Sequence, residues 1–264
     1  MAKEMAIDEY HDDLLVRISD DIAWVTINRP QAMNALTRDT KRHILRFMEE
    51  AGEAEDFKVI ILTGAGEKAF CAGTDLRDMV TFGPIDAEQM LWLEHKMNDA
   101  IRHCNKPVIA AVNGNALGGG CLIPLICDYS IVADTAVLGF PEIKSGLPAS
   151  IEIAIIHKFV GLARARELIY FGETFTPAEA VDMGLMNKVV PQKDVLTAAE
   201  AAARKLMKQS PTALRLQKEL VNKWIETDFV SAVETSIYAA GLAFTTDEPR
   251  EAMNRFFERQ KSKK

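Results

Sequence analysis

This sequence has few cysteines, less basic than acidic charge, and no long apolar run. Four cysteines, at 71, 104, 121 and 127 of 264 residues, show no CxxC or other metal-ligand spacing, and two lie inside apolar runs. They read as buried, reduced thiols of a cytosolic protein. No apolar run reaches membrane-spanning length, and the N-terminal MAKEMAIDEYHDD is too polar for a signal peptide. Cytoplasmic location is the expectation, unless a short organellar presequence has been removed. A net charge of -7 and a pI near 5.4 exclude a nucleic-acid or anionic-membrane surface, which would need a basic patch. His43, His95, His103 and His157 are scattered without HxxxH or HExxH spacing, so no metal site is expected. There is no internal repeat and no low-complexity tract beyond the short basic end KSKK.

What the chain has is apolar substance. It is 48% hydrophobic with a mean hydropathy of -0.03, enough for a large core in one big domain or one domain plus an appendage. The organising stretch is Lys106 to Glu142. It begins as a buried strand, Val108 to Val112, breaks at Asn113-Gly114, and offers Gly118, Gly119 and Gly120 directly before the apolar run Cys121 to Cys127. A helix starting at such a cluster points free N–H groups and the positive end of its dipole at whatever precedes it, which suits a group that is or becomes negative.

Around this stretch the elements follow from pattern. Leu14 to Ser19 and Ile22 to Asn28 form a hairpin about Asp20-Asp21. A helix runs from about Thr37 to Glu53, with Ile44, Leu45 and Met48 on one face, and Val59 to Leu62 is a short buried strand. The string GAGEKA, Gly64 to Ala69, fits the dinucleotide pattern GxGxxG/A. No amphipathic helix follows Gly66, however, and the context a nicotinamide-dependent oxidoreductase requires is missing. Asp86, with Gln89 three residues on, marks an N-cap for a helix reaching about His103. In that helix Leu91, Leu93, His95, Met97, Ile101 and Cys104 form no single stripe, so it is expected to be covered on more than one side. Ile151 to Val160 is a further helix, ended by Gly161. Thr176-Pro177-Ala178-Glu179 is a strong helix start, and Ser210-Pro211 is another. From about Asp194 the chain is helical, near 194–208, 211–226, 229–244 and 248–259. The fold class is therefore α/β, an alternating core (1–193) followed by a helical region (194–264).

The word NGNALGGGC, with Cys127-Asp128 and Phe-Pro-Glu-Ile at Phe140 to Ile143, resembles the enoyl-CoA hydratase/isomerase (crotonase) family. AFCAGTDL at Ala69 to Leu76 matches its AGxDL segment, and NRPQAMNAL at Asn28 to Leu36 is also similar; the resemblance covers nearly the whole chain in order. It implies a crotonase-like spiral of ββα units whose C-terminal helical region serves trimer contacts, in a homotrimer or a dimer of trimers. The substrate implied is an acyl-CoA thioester. No separate cofactor is implied, since coenzyme A is part of the substrate.

By that resemblance the thioester oxygen is held by two backbone N–H groups, at Thr74 and Gly119, and Glu142 is the catalytic carboxylate. Its apolar surroundings, Leu138, Phe140, Ile143 and Leu147, should raise its pKa. Coenzyme A would lie along Arg29 and Ala32, then Ala72 and the backbone of Thr74, Asp75, Leu76 and Arg77. Phe256 and Arg259 match positions that reach the nucleotide from a neighbouring subunit, with Arg suited to the 3′-phosphate.

The departure is Leu122. Family hydratases carry a second glutamate directly after GGGC, and leucine can neither accept a proton nor orient water. Moving a double bond from the 3,4 to the 2,3 position needs one base only, so the pattern resembles Δ3,Δ2-enoyl-CoA isomerases. Ser150 stands where dienoyl-CoA isomerases carry an additional aspartate. Two alternatives stay open: a hydratase recruiting Glu152 or a water held by Glu142 alone, and a coenzyme-A-thioester-binding protein with little catalysis. Glu152 itself is expected to be a solvated helix residue.

Overall fold

The computed structural model describes residues 12–261; most of the polar N-terminal stretch and the last three residues of the basic end lie outside the described residues. The chain opens with the hairpin β1 (Leu14–Ser19) and β2 (Ile22–Ile27), paired antiparallel with Ser19 opposite Ile22. Asp20 and Asp21 both take positive φ, 54° and 61°, the geometry of a tight two-residue turn. Helix α1 (Arg38–Ala51) follows, its first turn closed by the Thr37 side chain accepting from the Thr40 N–H.

The chain then alternates between two sheets. Strands β3 (Val59–Gly64), β5 (Val108–Val112) and β7 (Tyr129–Ala133) each enter a six-stranded sheet of order β1-β2-β3-β5-β7-β10, where β10 is Lys188–Val190. Each is followed by a short strand, β4 (Ala69–Cys71), β6 (Asn115–Leu117) or β8 (Leu138–Gly139), in a four-stranded sheet of order β4-β6-β8-β9, where β9 is Thr174–Phe175. Within the large sheet all pairs beyond the first hairpin are parallel, and so are β4–β6 and β6–β8. Three successive strand pairs thus wind one beside the next. β3 and β5 are buried along their whole length, which explains the apolar runs Val59 to Leu62 and Val108 to Val112.

Helix α2 (Leu76–Met79) and the 20-residue α3 (Pro84–His103) lie between the first and second turns, and α4 (Gly119–Ile126) lies between the second and third. Helix α3 starts earlier than expected: Gly83 is its N-cap, Pro84 occupies the first turn, and Asp86 accepts from the Gly83 N–H at 3.0 Å. It also buries one stripe, Met90, Glu94, Met97, Asn98, Ile101 and Arg102, rather than several faces. Three of those six are polar, and this breaks the apolar periodicity in the sequence. After α4 come a 3-10 turn at Ile151–Ile155 and α5 (Ile156–Phe171), which is kinked at Gly161 with φ 74°. Helix α6 (Pro177–Asp182) carries the expected Thr176–Glu179 capping box.

The helical end is not uniform. Helix α7 (Val195–Leu206) packs on β3, β5 and β7 through Val195, Ala199 and Ala203. Helices α8 (Pro211–Glu226) and α9 (Phe229–Ala243) form a hairpin, and α10 (Glu248–Lys261) follows. Phe229, Ile237 and Tyr238 on α9, and Phe256 and Phe257 on α10, are exposed.

Candidate active site

The three segments singled out in the sequence leave the C-terminal ends of three adjacent parallel strands of the small sheet. Ala72-Gly73-Thr74 follows β4, Gly118-Gly119-Gly120 follows β6, and Phe140-Pro141-Glu142 follows β8. Neighbouring strands lie about 4.8 Å apart, so segments distant in sequence meet in one row. Hydrogen bonds fix that row: Gly118 N–H donates to Gly139 O at 2.9 Å, Leu36 N–H to Gly73 O at 2.8 Å, and Asp75 N–H to Leu36 O at 3.0 Å.

Glycine is required here by contact. Gly118 has φ 55°, and a Cβ on it would lie 3.1 Å from Glu142 Oε1. A Cβ on Gly119 would collide with Glu94 Oε1, and one on Gly120 with the Cys71 carbonyl. Gly73, with φ 83°, brings its own Cα beside the Gly119 nitrogen, which a Cβ there would meet at 3.2 Å. Among the described residues neither the Thr74 N–H nor the Gly119 N–H is taken by a protein acceptor.

A cavity of about 210 Å³ opens at this row. Thr74, Gly119, Leu122, Glu142 and Glu94 line it. One Glu142 oxygen, Oε2, is buried without a hydrogen-bond partner among the described residues. Removal from water, reinforced by the charge of Glu94, pushes the Glu142 carboxyl above its ordinary range. Leu122 is buried and lines the wall from α4. Burial pushes the Cys71 and Cys121 thiols up to about 12, so neither offers a thiolate at neutral pH. A larger cavity, about 660 Å³, lies between the large sheet and α8 and contains none of the residues expected at the site.

The remaining candidates are spread more widely. Ala72 and Leu76 line the cavity with Thr74. Arg29 turns inward, donating to the Ala35 carbonyl and, at 3.1 Å, to Asp75. Arg77 grips the same carboxylate through Nε and Nη2 at 2.9 and 2.7 Å, and the paired guanidinium holds Asp75 well below the usual carboxylate range. Ala32 sits in a 3-10 turn, Pro30–Ala32, beside this network. Phe256 and Arg259 lie on α10, exposed and away from the cavity lining.

Glu152 departs from its expectation as a solvated residue. It is buried, and its two oxygens accept from Asn98 Nδ2 at 2.6 Å and pair with His95 Nδ1. It does not line the cavity. The residues that sequence reasoning missed are Glu94 and Lys41. The signal was available: each occupies a position on its helix's buried stripe, Lys41 with Ile44, Met48 and Ala51, and Glu94 with Met90, Met97 and Ile101. A charge at such a position calls for a buried partner.

Comparison with known proteins agrees with this geometry. A model of the enoyl-CoA hydratase/isomerase family matches residues 17–263, and the chain belongs to that family. It is 35% identical to the short-chain-enoyl-CoA hydratase of Clostridium acetobutylicum, over 95% of this chain and 96% of that protein. It is 34% identical to the crotonyl-CoA hydratase of Syntrophomonas wolfei, over 96% and 97%. Among solved structures, Pseudomonas aeruginosa DspI superposes with a TM-score of 0.91 at 29% identity, over 97% of this chain and 98% of that one. Enoyl-CoA hydratase from Bacillus anthracis gives 0.89 at 30% identity, over 94% and 96%. The crotonase-like α/β fold expected from the motifs is the fold found.

Proposed function

We propose that this enzyme is a Δ3,Δ2-enoyl-CoA isomerase, with Glu142 as its base and the N–H groups of Thr74 and Gly119 as the donors that hold the thioester oxygen. The carrying observation is Glu142 itself: a carboxylate of raised pKa, with one oxygen unpartnered, in a cavity bordered by two unengaged main-chain donors and, at position 122, by leucine. A base suited to carbon acids needs a pKa lifted toward neutrality, and burial supplies that. Glu142 takes a proton from C2. The electron pair moves to the thioester oxygen, where Thr74 and Gly119 N–H groups meet the developing charge. The same carboxylic acid then protonates C4, leaving the 2,3 double bond.

Coenzyme A would run along Ala72 to Arg77. Arg29 and Asp75 then shape the loop rather than touch the nucleotide, and Arg77, whose guanidinium is paired with Asp75, contributes through its backbone. Phe256 and Arg259 would serve a neighbouring subunit's site, in a trimer or a dimer of trimers, which the exposed apolar residues of α9 and α10 support. The free cysteines support a reducing, cytoplasmic setting. The hydratase names of the relatives favour a second reading, water addition to 2-enoyl thioesters.

The test is a paired assay on purified protein, offering 3-enoyl-CoA and 2-enoyl-CoA of several chain lengths with Glu142→Gln as control. Conversion of the 3-enoyl substrate, lost in the variant, supports the isomerase. Turnover of neither substrate while acyl-CoA still binds sinks it.

A further inference from the structure

Leucine at 122 does not leave Glu142 as the only carboxylate of the cavity. Glu94, from the middle of α3, lines the same wall and is 4% exposed. Its Oε2 accepts from Lys41 Nζ at 2.5 Å and from Thr74 Oγ1 at 2.8 Å, and the fully buried Lys41 also donates to Thr74 Oγ1 at 2.8 Å. The other oxygen, Oε1, has no donor among the described residues and lies hard against Gly119. Glu142 Oε1 stands over the adjacent Gly118. Two consecutive glycines are thus each covered by a carboxylate oxygen, one from α3 and one from the turn after β8.

Stability does not explain this arrangement. A buried ion pair is often no better than apolar residues of the same volume, and here one carboxylate oxygen is left idle beside the cavity. An acceptor fixed at one end and free at the other is instead suited to holding a small donor. Of the molecules that could enter, water is the one with a consequence for the thioester.

We propose that Glu94 orients a water molecule for addition to C3 of a 2-enoyl thioester, so that the cavity isomerises with Glu142 alone and hydrates with Glu142 and Glu94 together. The inference rests on the thioester reading of the site given above. Water donates one O–H to Glu94 Oε1 and the other to Glu142. Glu142 takes its proton as the water oxygen bonds to C3, and the π pair moves to the thioester oxygen. Glu142 then returns that proton to C2 as the carbonyl re-forms. One water supplies both the hydroxyl on C3 and the hydrogen on C2, and both carboxylates end as they began. The product is a 3-hydroxyacyl thioester, so the isomerised product of the first reaction is the substrate of the second.

The experiment measures isomerisation of 3-enoyl-CoA, and hydration of 2-enoyl-CoA in heavy-oxygen water, for wild type, Glu94→Gln and the double variant Lys41→Met/Glu94→Gln. The double variant leaves no unpaired buried ammonium. Wild type is expected to do both reactions. In both variants the ratio of hydration to isomerisation should fall on the order of a hundredfold, the scale of a lost acid–base or water-positioning group, with residual isomerisation reporting an intact site. Wild type that never incorporates heavy oxygen, or variants in which the ratio is unchanged, would overturn the assignment. Hydration that depends on Glu94 in an enzyme that isomerises nothing would uphold Glu94 and remove the isomerase reading instead.

Discussion

Glu94 and His95 are neighbours on α3, yet they join two different clusters, each around one buried carboxylate. Glu94 joins Lys41 and Thr74 beside the cavity, whereas His95 and Asn98 close on Glu152 behind it. In the second cluster both carboxylate oxygens are engaged; in the first, one is left over. A buried carboxylate with every acceptor site committed is architecture, and one with an oxygen facing a cavity is available for chemistry. Sequence alone marks only Glu152 as a possible second carboxylate, because it lies near Glu142 in the chain, whereas Glu94 lies in an ordinary helix.

That contrast can be broken by substitution. The largest effect should come from Glu142→Gln, which removes the proton carrier and should lower isomerisation on the order of a thousandfold or more, read as kcat at saturating substrate. Next is Gly119→Ala. The added methyl meets Glu94 Oε1, so the start of α4 must shift and carry its N–H with it; a loss on the order of a hundred- to a thousandfold is expected, in kcat more than in binding.

The third effect is a displacement along the pH axis. Glu142 is raised by burial and by the charge of Glu94, and the other groups set around the pair are the neutral Cys121 thiol on α4 and Lys41 behind Glu94. Only ionised Glu142 can take the C2 proton, so kcat/KM should fall as pH drops through its raised pKa, above the ordinary glutamate value of about 4.3. Neutralising Glu94 removes one cause of the rise. The acidic limb should therefore move to lower pH in Glu94→Gln, and a limb that stays put would show that the two carboxylates do not sense one another.

The smallest effect on chemistry should come from Glu152→Ala. Losing the carboxylate strands Asn98 and His95 and should cost about 2 kcal/mol, or a Tm lower by about 4 to 8 °C, while turnover of the folded enzyme stays within a few-fold. A collapse of activity without a change in Tm would place Glu152 in the reaction after all.

The legible parts of the molecule were those whose signals are local. The run from Val108 through Gly118 to Ile126 shows strand, turn and helix start in consecutive residues, and the structure has the strand and the helix start, with the three-residue β6, too short to leave a pattern, set between them. The Thr176 capping box and the Ser210 cap were readable for the same reason. The start of α3 lies earlier than Asp86, which resembles an N-cap; Pro84 is the stronger mark of the first helical turn and sets the cap at Gly83. The triad of Lys41, Thr74 and Glu94 joins residues 33 and 53 positions apart in sequence. No local pattern reports that pairing; only the winding of the chain brings them together. The polar members of the α3 stripe hide the stripe itself, so the buried carboxylate and the failure of periodicity have one cause.

The row made by β4, β6 and β8 has a consequence for how such an enzyme can change. The two groups assigned to the oxygen belong to the main chain, which no side-chain replacement deletes, and they stand at a spacing set by strand pairing. The wall facing them is built from α3 and α4, whose residues 94 and 122 both border the cavity. The scaffold is therefore built as a fixed socket with exchangeable fittings: a carboxylate can be moved from one helix to the other, or withdrawn, without disturbing the row of main-chain groups set by the strands.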